Sequence, residues 1–233
     1  IINRLSVFKT IDTSFIDRFE DVHTPIVRCL IALNGERAFL AMTRVYPLPH
    51  YTITPDILEG GRILSFGQHA VNEAIPGLEH VREMGLVSAI GDIIHPDHPS
   101  LPLVDYAVNS ADYIRVHFPG ADIYTHDRLV QQASGGVVIT TDSTHPIHVV
   151  DTDGSEFLVH PPVVEHVVDT TGAGDSFKAG FMYGLTHDLP LDHCVRIGSA
   201  AGSIQVQHMG ATDYLAPIED VLALADTLRV TPL

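Results

Sequence analysis

Cationic residues are scarce in this chain. Its 233 residues include 13 Lys and Arg against 29 Asp and Glu, which gives a formal net charge of −16 at pH 7 with histidine neutral. Because the phosphates of nucleic acids and anionic lipids repel such a chain, nonspecific binding to either is excluded as a function. We therefore expect no nucleic-acid partner and no membrane partner. Any anionic ligand has to be held by backbone dipoles or by a few well-placed cations.

Cysteines and long apolar runs are also scarce. Cys29 and Cys194 are too few for a disulfide framework and favour free thiols in a reducing cytoplasm. No apolar run approaches the length of about 18 residues that a transmembrane helix needs. The first residues lack the charged-then-apolar pattern of a signal peptide. With no internal repeat and 45% hydrophobic residues, the sequence predicts a cytoplasmic protein with a single globular domain over residues 1–233.

Short apolar segments alternate with helical segments along most of the chain. The predicted strands are 61–67, 86–92, 111–118 and 135–141. The predicted helices are 72–85, 103–110, 125–133 with Thr125 as N-cap, 175–186, 191–210 and 217–228. This alternation predicts an α/β fold with a mostly parallel sheet and helices on both faces. Two predicted hairpins, 25–45 around Asn34-Gly35 and 145–162 around Asp153-Gly154, add antiparallel pairs or a small lid.

The segment VVDTTGAGDSFKAGF, residues 167–181, places small residues directly before a predicted helix. Gly172, Ala173 and Gly174 leave room for an anion to reach the unpaired amides at the helix N-terminus. Asp175 would repel a phosphate, but it can accept a proton from an attacking hydroxyl. Together these residues indicate phosphoryl transfer to an alcohol. The alternative from the same residues is an Asp cap after a glycine turn, with no chemistry.

Lys178 follows this turn in the predicted helix. It is preceded by Phe177 and followed by Ala179, so the Gly-Lys-Ser/Thr of a P-loop is absent and that class of nucleotide site is excluded. Its ammonium could reach an anion near residues 172–175, and the alternative is a lysine on an exposed helix face.

The segment DTTGAGDSFKAGF, residues 169–181, closely resembles the second signature of the PfkB carbohydrate kinases, a ribokinase-like family. The resemblance extends downstream through GSAAGSIQVQHMGA, residues 198–211, and upstream to DTSFIDR (12–18) and NGERAFL (34–40). It implies a three-layer α/β/α sandwich with a mostly parallel central sheet and a small β lid.

The same resemblance implies a reaction and a set of site residues. The reaction would be ATP-dependent phosphoryl transfer, with Mg²⁺, to a hydroxyl of a sugar or similar small alcohol. Asp175 would be the catalytic base, and Gly172, Ala173 and Gly174 would form the anion hole. The nucleotide side would include Thr140, Thr170, Thr171, Ser199, Gly202 and Ser203. Asp169 and Thr171 match positions that help to hold an activating monovalent cation such as K⁺ in some members. Lid strands often pair between subunits in this family, which implies a homodimer.

The sequence departs from the family pattern in three places. The usual N-terminal segment with its Gly-Gly sugar-binding motif is not found, so we expect either a fragment or a naturally shortened protein. The magnesium-organising Asn-x-x-Glu aligns with 117–120, where both polar ligands are missing. Asp142 stands where a glycine near the nucleotide phosphates is usual. These departures keep a second function open: a ribokinase-like protein that binds a nucleotide or sugar without transferring phosphate.

Three further pairs of residues need an interpretation, and for each of them a structural role is possible. His95 and His98 flank Asp97 and could hold a metal, or belong to a solvated loop. His145 and His148, on one predicted strand, are expected at the surface. Gly180 and Gly184 are four residues apart on one helix face, which predicts close packing against another helix.

Overall fold

The first part of the chain contains a β-hairpin. The computed structural model describes residues 5, 7–16, 26–31, 37–42, 53–67, 71–92 and 95–233, which fall into two compact units, 1–51 and 52–233. In the first unit, strands Ile26–Ile31 (β1) and Arg37–Met42 (β2) pair antiparallel, with Ile26 opposite Met42. This pairing confirms the predicted hairpin. The Asn34-Gly35 turn itself lies outside the described residues.

The second unit alternates strands with helices. Its strands are Ile63–Gly67 (β3), Val87–Gly91 (β4), Tyr106–Ser110 (β5), Val137–Asp142 (β6), His145–Val150 (β7), Glu156–Val159 (β8) and Val230–Pro232 (β9). Its helices are Pro55–Leu58 (α1), Val71–Glu83 (α2), Ala111–His117 (α3), Ile123–Ser134 (α4), Ala173–Thr186 (α5), Leu191–Gln205 (α6) and Ile218–Ala225 (α7). The alternation predicted from the sequence is therefore confirmed at most positions.

One seven-stranded sheet organises this unit. Its strands lie side by side in the order β3-β4-β5-β6-β7-β8-β9. The pairs from β3 to β6 are parallel, as the helical crossovers require, and the pairs from β6 to β9 are antiparallel. The tight turn after β7 contains Gly154 at φ +82°, which confirms the second predicted hairpin.

Helices cover both faces of the sheet. On one face, Leu78 of α2 and Val130 of α4 pack with strand residues Ala107, Val138 and Val150. On the other face, α5 and α6 supply Phe177, Phe181, Cys194 and Val195, which pack against Val108, Ile139 and Val149. Neighbouring strand residues thus alternate between two apolar layers, which confirms the three-layer α/β/α sandwich.

The segment 103–118 corrects one prediction. The predicted helix 103–110 is instead strand β5, and the predicted strand 111–118 is helix α3. Tyr113, Ile114 and Val116 suggested a strand because β-branched and aromatic residues favour one. Ala111 and Ile114 are the buried residues of α3, and their i,i+3 spacing belongs to a helix.

Helix α4 begins slightly earlier than predicted. Its N-cap is Asp122, whose Oδ1 accepts hydrogen bonds from the Thr125 amide at 2.8 Å and the Thr125 hydroxyl at 2.7 Å. Thr125 is therefore a partner of the cap and not the cap itself. Helix α6 ends at Gln205, short of the predicted end at 210.

Helices α5 and α6 approach each other through glycines on both sides. A Cβ on Gly180 would lie 2.8 Å from the Ile197 carbonyl oxygen, and one on Gly184 would lie 2.8 Å from Cys194 Sγ. The predicted close-packing face is therefore confirmed. The Cys194 thiol is free and buried, and its burial raises the pKa to about 11.

We expect Gly198→Ala to lower the free energy of unfolding by about 1–3 kcal/mol, the usual effect of overpacking a tight contact. Its added Cβ would lie 2.8 Å from the Phe177 carbonyl oxygen, where backbone must move. Urea denaturation measures the change. Gly174→Ala is the control for stability, because its Cβ would meet nothing within 4 Å and alanine favours helices. Equal stability of Gly198→Ala and the parent would contradict this description of the helix pair.

Candidate active site

The glycine-rich turn lies at the carboxyl edge of the parallel strands. Near the start of α5, the Lys178 side chain packs on Gly91, the last residue of β4. Near the end of α5, Leu185 lines a cavity of about 270 Å³ with Ile63 and Val87, which begin β3 and β4. Helix α5 therefore runs from the carboxyl ends of these strands to their amino ends. The carboxyl edge is where open α/β sheets bind their ligands, so the turn and not this cavity is the candidate site.

Hydrogen bonds of Asp169 hold the turn in place. One Asp169 oxygen accepts from the Thr171 amide at 2.9 Å and the Thr171 hydroxyl at 2.7 Å. The other accepts from the Gly210 amide at 3.0 Å. Gly172 has φ +81°, and a Cβ there would lie 2.7 Å from that of Ala211. The predicted segments 169–175 and 198–211 are thus in direct contact.

The amides at the start of α5 differ in their partners. The Ala173 amide donates to the Thr170 carbonyl at 3.3 Å, and the Ser176 amide donates to the Gly172 carbonyl at 2.8 Å. In the described part of the chain, no backbone carbonyl accepts from the amides of Gly172, Gly174 or Asp175. The space beside Gly174 is open. An anion could therefore approach these amides, although Ala173 is already partly engaged.

Asp175 and Lys178 lie beside these amides. The Asp175 side chain is 82% exposed, and its Oδ1 lies 3.5 Å from Lys178 Nζ. Lys178 is only 23% exposed, so it is not on an open helix face. An exposed carboxylate next to available amides and an ammonium can accept a proton while negative charge is stabilised nearby.

The predicted nucleotide-side residues fall into two groups. Thr170 and Thr171 lie at the turn itself, and Gly202 of α6 packs against it, since a Cβ on Gly202 would be 3.0 Å from the Ala173 carbonyl oxygen. Thr140 and Ser199 are buried, so their side chains offer almost no surface to a nucleotide.

Two of the predicted nucleotide-side residues, Thr140 and Ser203, form hydrogen bonds within the protein. The Thr140 hydroxyl donates to Asp127 at 2.8 Å, and the Ser203 carbonyl accepts from the Gln207 amide group at 3.0 Å.

The polar pair at the end of β5 was missed in the sequence. Because β5 ends at Ser110, the residues with the Asn-x-x-Glu spacing are Asn109 and Asp112, and not 117–120. Asn109 is 2% exposed, and both polar atoms of its side chain lack a partner among the described residues. The available signal was Ser110, a typical helix N-cap residue, with Asp112 in the following first turn.

Arg115 neutralises the charge of Asp142. Its guanidinium donates to both Asp142 oxygens at 2.8 and 2.7 Å and to Asp112 at 2.9 Å. These bonds to Asp142 raise the pKa of Arg115 further above its ordinary value. The carboxylate of Asp142 therefore does not present an uncompensated charge to a bound nucleotide.

Of the two interpretations of His95 and His98, the structure gives no support to a metal site. His95 Nδ1 is 3.9 Å from Asp97, whereas His98 Nδ1 lies 2.8 Å from the Ser100 hydroxyl. Among the residues that the structure describes, no three His, Cys, Asp or Glu side chains form a metal-binding group.

No described helix is long and apolar enough to span a membrane.

Comparison with known proteins identifies the family. The model of the pfkB family of carbohydrate kinases matches residues 100–218, about half of the chain. The chain belongs to the pfkB family. The match includes the turn, Asp175 and the Asn109–Asp112 pair.

Relatives of this pfkB protein include sugar and nucleoside kinases. Ribokinase of Lactococcus lactis is 27% identical over 134 residues, 58% of this chain and 43% of the relative. Adenosine kinase 1 of Arabidopsis thaliana is 38% identical over 229 residues, 85% of this chain and 66% of the relative. The chain thus spans less than two thirds of the length of these relatives.

Solved structures show the same fold. Ribokinase of Thermotoga maritima has a TM-score of 0.71 at 19% identity, covering 88% of this pfkB chain and 70% of its own. A nucleoside kinase of Burkholderia thailandensis in complex with inosine has a TM-score of 0.73 at 16% identity, covering 97% and 75%. At these identities the likeness establishes a ribokinase-like fold, as the sequence resemblance implied.

Proposed function

We propose that this protein transfers the γ-phosphoryl group of ATP to a hydroxyl of a sugar, a nucleoside or a similar small alcohol. The observation that carries this proposal is the exposed Asp175 carboxylate beside amides at the start of α5 that donate to no described backbone carbonyl. Membership of a kinase family supports it. Related structures complexed with ribose and ATP, and with ATP and Mg²⁺, support ATP as the donor.

In the proposed reaction, the Asp175 side chain handles the proton and backbone amides of the turn bind the transferring group. Ionised Asp175 accepts the proton of the attacking hydroxyl as the new oxygen–phosphorus bond forms. The bond from phosphorus to the bridging oxygen of ADP breaks, and ADP leaves with that electron pair. Amides of Gly172, Gly174 and Asp175 donate hydrogen bonds to the negative oxygens of the transferring group. Ala173 contributes less, because its amide already has an acceptor.

Magnesium fits the residues at the end of β5. The side-chain oxygen of Asn109 has no partner among the described residues, and Asp112 is an exposed carboxylate whose Oδ1 accepts from Arg115, so the two side chains offer oxygen ligands of the kind that Mg²⁺ prefers. The metal would neutralise phosphate charge. Asp112 replaces the Glu that is usual in the family.

For K⁺, both oxygens of Asp169 accept hydrogen bonds from the chain, so additional oxygen ligands would be needed. The K⁺ site, the homodimer and the cytoplasmic location stay predictions.

Two observations favour transfer over the alternative of a binding protein without turnover. The polar pair thought to be missing is found at Asn109 and Asp112, and the carboxylate of Asp142 is paired with Arg115. To decide between the functions, the protein is incubated with ATP, Mg²⁺ and a panel of sugars and nucleosides, and ADP formation is followed. Acceptor-dependent ADP formation supports transfer, whereas nucleotide binding without turnover of any acceptor supports the alternative.

We expect Gly174→Ala to lower kcat/KM by about tenfold to a hundredfold, because its methyl group would occupy the open space through which the phosphoryl group approaches the amides. Steady-state kinetics with the acceptor found in the panel measures this. Gly67→Ala at the end of β3 is the matched control, since its Cβ also meets nothing within 4 Å. Unchanged kinetics of Gly174→Ala would place the phosphoryl group elsewhere.

A further inference from the structure

We infer that Lys178 makes the site selective for an acceptor with an anionic group, namely a sugar or related small alcohol that carries a carboxylate or a phosphate. This inference rests on the proposed function. It adds the chemical class of the acceptor and assigns a residue to its recognition.

The ammonium of Lys178 is held beside the reacting carboxylate. Its Nζ lies 3.5 Å from Asp175 Oδ1, and the side chain is mostly buried along Gly91. A Cβ on Gly91 would lie 2.8 Å from Nζ and 3.3 Å from Cδ of Lys178. The lysine therefore uses a slot that exists only because residue 91 has no side chain.

The position of Lys178 in the sheet indicates the acceptor side. Lys178 lies over the end of β4, whereas Thr140 and Asp142, in the region predicted for the nucleotide, lie on β6. Strand β5 separates β4 from β6. An ammonium on the β4 side of Asp175 is thus placed toward the molecule whose hydroxyl attacks, and away from the predicted nucleotide side.

Charge explains why an ammonium would be needed there. Asp175 and the ATP phosphates both repel an anionic acceptor, so its binding requires a nearby cation. A neutral sugar needs only uncharged hydrogen-bond partners.

The other described cations of the second unit are engaged. Arg115 is bound by two carboxylates at 2.7–2.9 Å. The remaining arginines make their contacts elsewhere: Arg62 with Asp188, Arg82 with Pro102, Arg128 with Glu156, Arg196 with Ala225 and Arg229 with His160. Among the described residues, Lys178 forms one longer ion pair, which leaves donors for a ligand.

Matched acceptor pairs test the inference. Kinetics and binding calorimetry compare ribose with ribose 5-phosphate and glucose with glucuronate, each with and without the anionic group. We expect the protein to prefer the anionic member of at least one pair by about tenfold to a hundredfold in kcat/KM, the range of a charge-assisted hydrogen bond. Lys178→Met should abolish this preference, because KM for the anionic member should rise about tenfold to a hundredfold more than KM for the neutral member. Lys178→Arg should retain most of it.

A second pair of variants tests the slot without altering the lysine. Gly91→Ala should displace the ammonium and reduce the preference for the anionic acceptor, as Lys178→Met does. Gly67→Ala is the matched control, because Gly67 is paired with Gly91 in the sheet and has open space around its missing Cβ. Thermal denaturation of each variant tests whether it is folded.

The outcomes separate this inference from the proposed function. If the parent protein prefers the anionic member of neither pair, or if Lys178→Met lowers kcat/KM equally for both members, the inference is overturned and phosphoryl transfer still stands. Absence of ADP formation with every acceptor overturns the proposed function. In that case binding calorimetry still tests the inference. Tighter binding of the anionic member that depends on Lys178 supports the inference, and equal binding of both members overturns it.

Discussion

Asp175→Asn is expected to lower kcat for phosphoryl transfer by about 10³-fold, within the range that general-base catalysis contributes. The amide has nearly the shape of the carboxylate but cannot accept the hydroxyl proton at neutral pH. Because the Asp175 side chain is 82% exposed and bonds to no described backbone amide, the fold should not depend on its charge. Steady-state ADP formation measures the loss, and the Kd for ATP should stay within a fewfold of the parent value.

Asp188→Asn provides a matched control for this substitution. Asp188 is 81% exposed and forms one ion pair with Arg62 at 2.9 Å, but it lies at the amino ends of the strands. Its replacement should leave kcat unchanged and alter stability by no more than about 1 kcal/mol. Equal activity of Asp175→Asn and Asp188→Asn would remove Asp175 from the reaction.

Asp127→Ala is expected to lower the free energy of unfolding by about 3–5 kcal/mol, because it removes the central acceptor of a buried hydrogen-bond network. Asp127 is fully buried, accepts from the Thr140 hydroxyl at 2.8 Å and bonds His148 Nδ1 at 2.7 Å. His148 Nε2 bonds Glu156 at 2.9 Å, and Arg128 pairs with Glu156 at 2.7 Å. The Arg128 hydrogen bond lowers the pKa of Glu156. Without Asp127, Thr140 and His148 each lose a partner inside the protein.

Urea denaturation with Asp122→Ala as control checks this expectation. Asp122 caps the same helix from an exposed position, and loss of such a cap costs about 1 kcal/mol. If the two variants lose similar free energy, the buried network is not the stabilising unit that its geometry indicates. Asp127→Asn should fall between the alanine variant and the parent, since it retains one oxygen acceptor.

Local sequence signals predicted much of the fold. The Asp153-Gly154 pair between β-rich segments predicted a hairpin, and the small residues before α5 predicted the start of the helix at the candidate site. The exchange of strand and helix in 103–118 shows the limit of such signals. Tyr113 and Val116 favour a strand by propensity, yet packing of Ala111 and Ile114 against the rest of the protein decides for a helix.

Contacts between distant segments could not be predicted in the same way. His148 was expected at the surface, whereas it is buried between Asp127 and Glu156 and stacks with Tyr124. Its partners come from α4 and β8, so only the sheet topology brings them together. The burial of Lys178 likewise depends on Gly91, a residue of another strand.

The fate of a labelled γ-phosphoryl group of ATP tests the proposed function most directly. We expect the label to appear as a phosphate ester on a hydroxyl of the acceptor with the parent protein, and to stay on ATP with Asp175→Asn. Label that is released only as inorganic phosphate, or that is transferred equally well by Asp175→Asn, would contradict phosphoryl transfer at this turn.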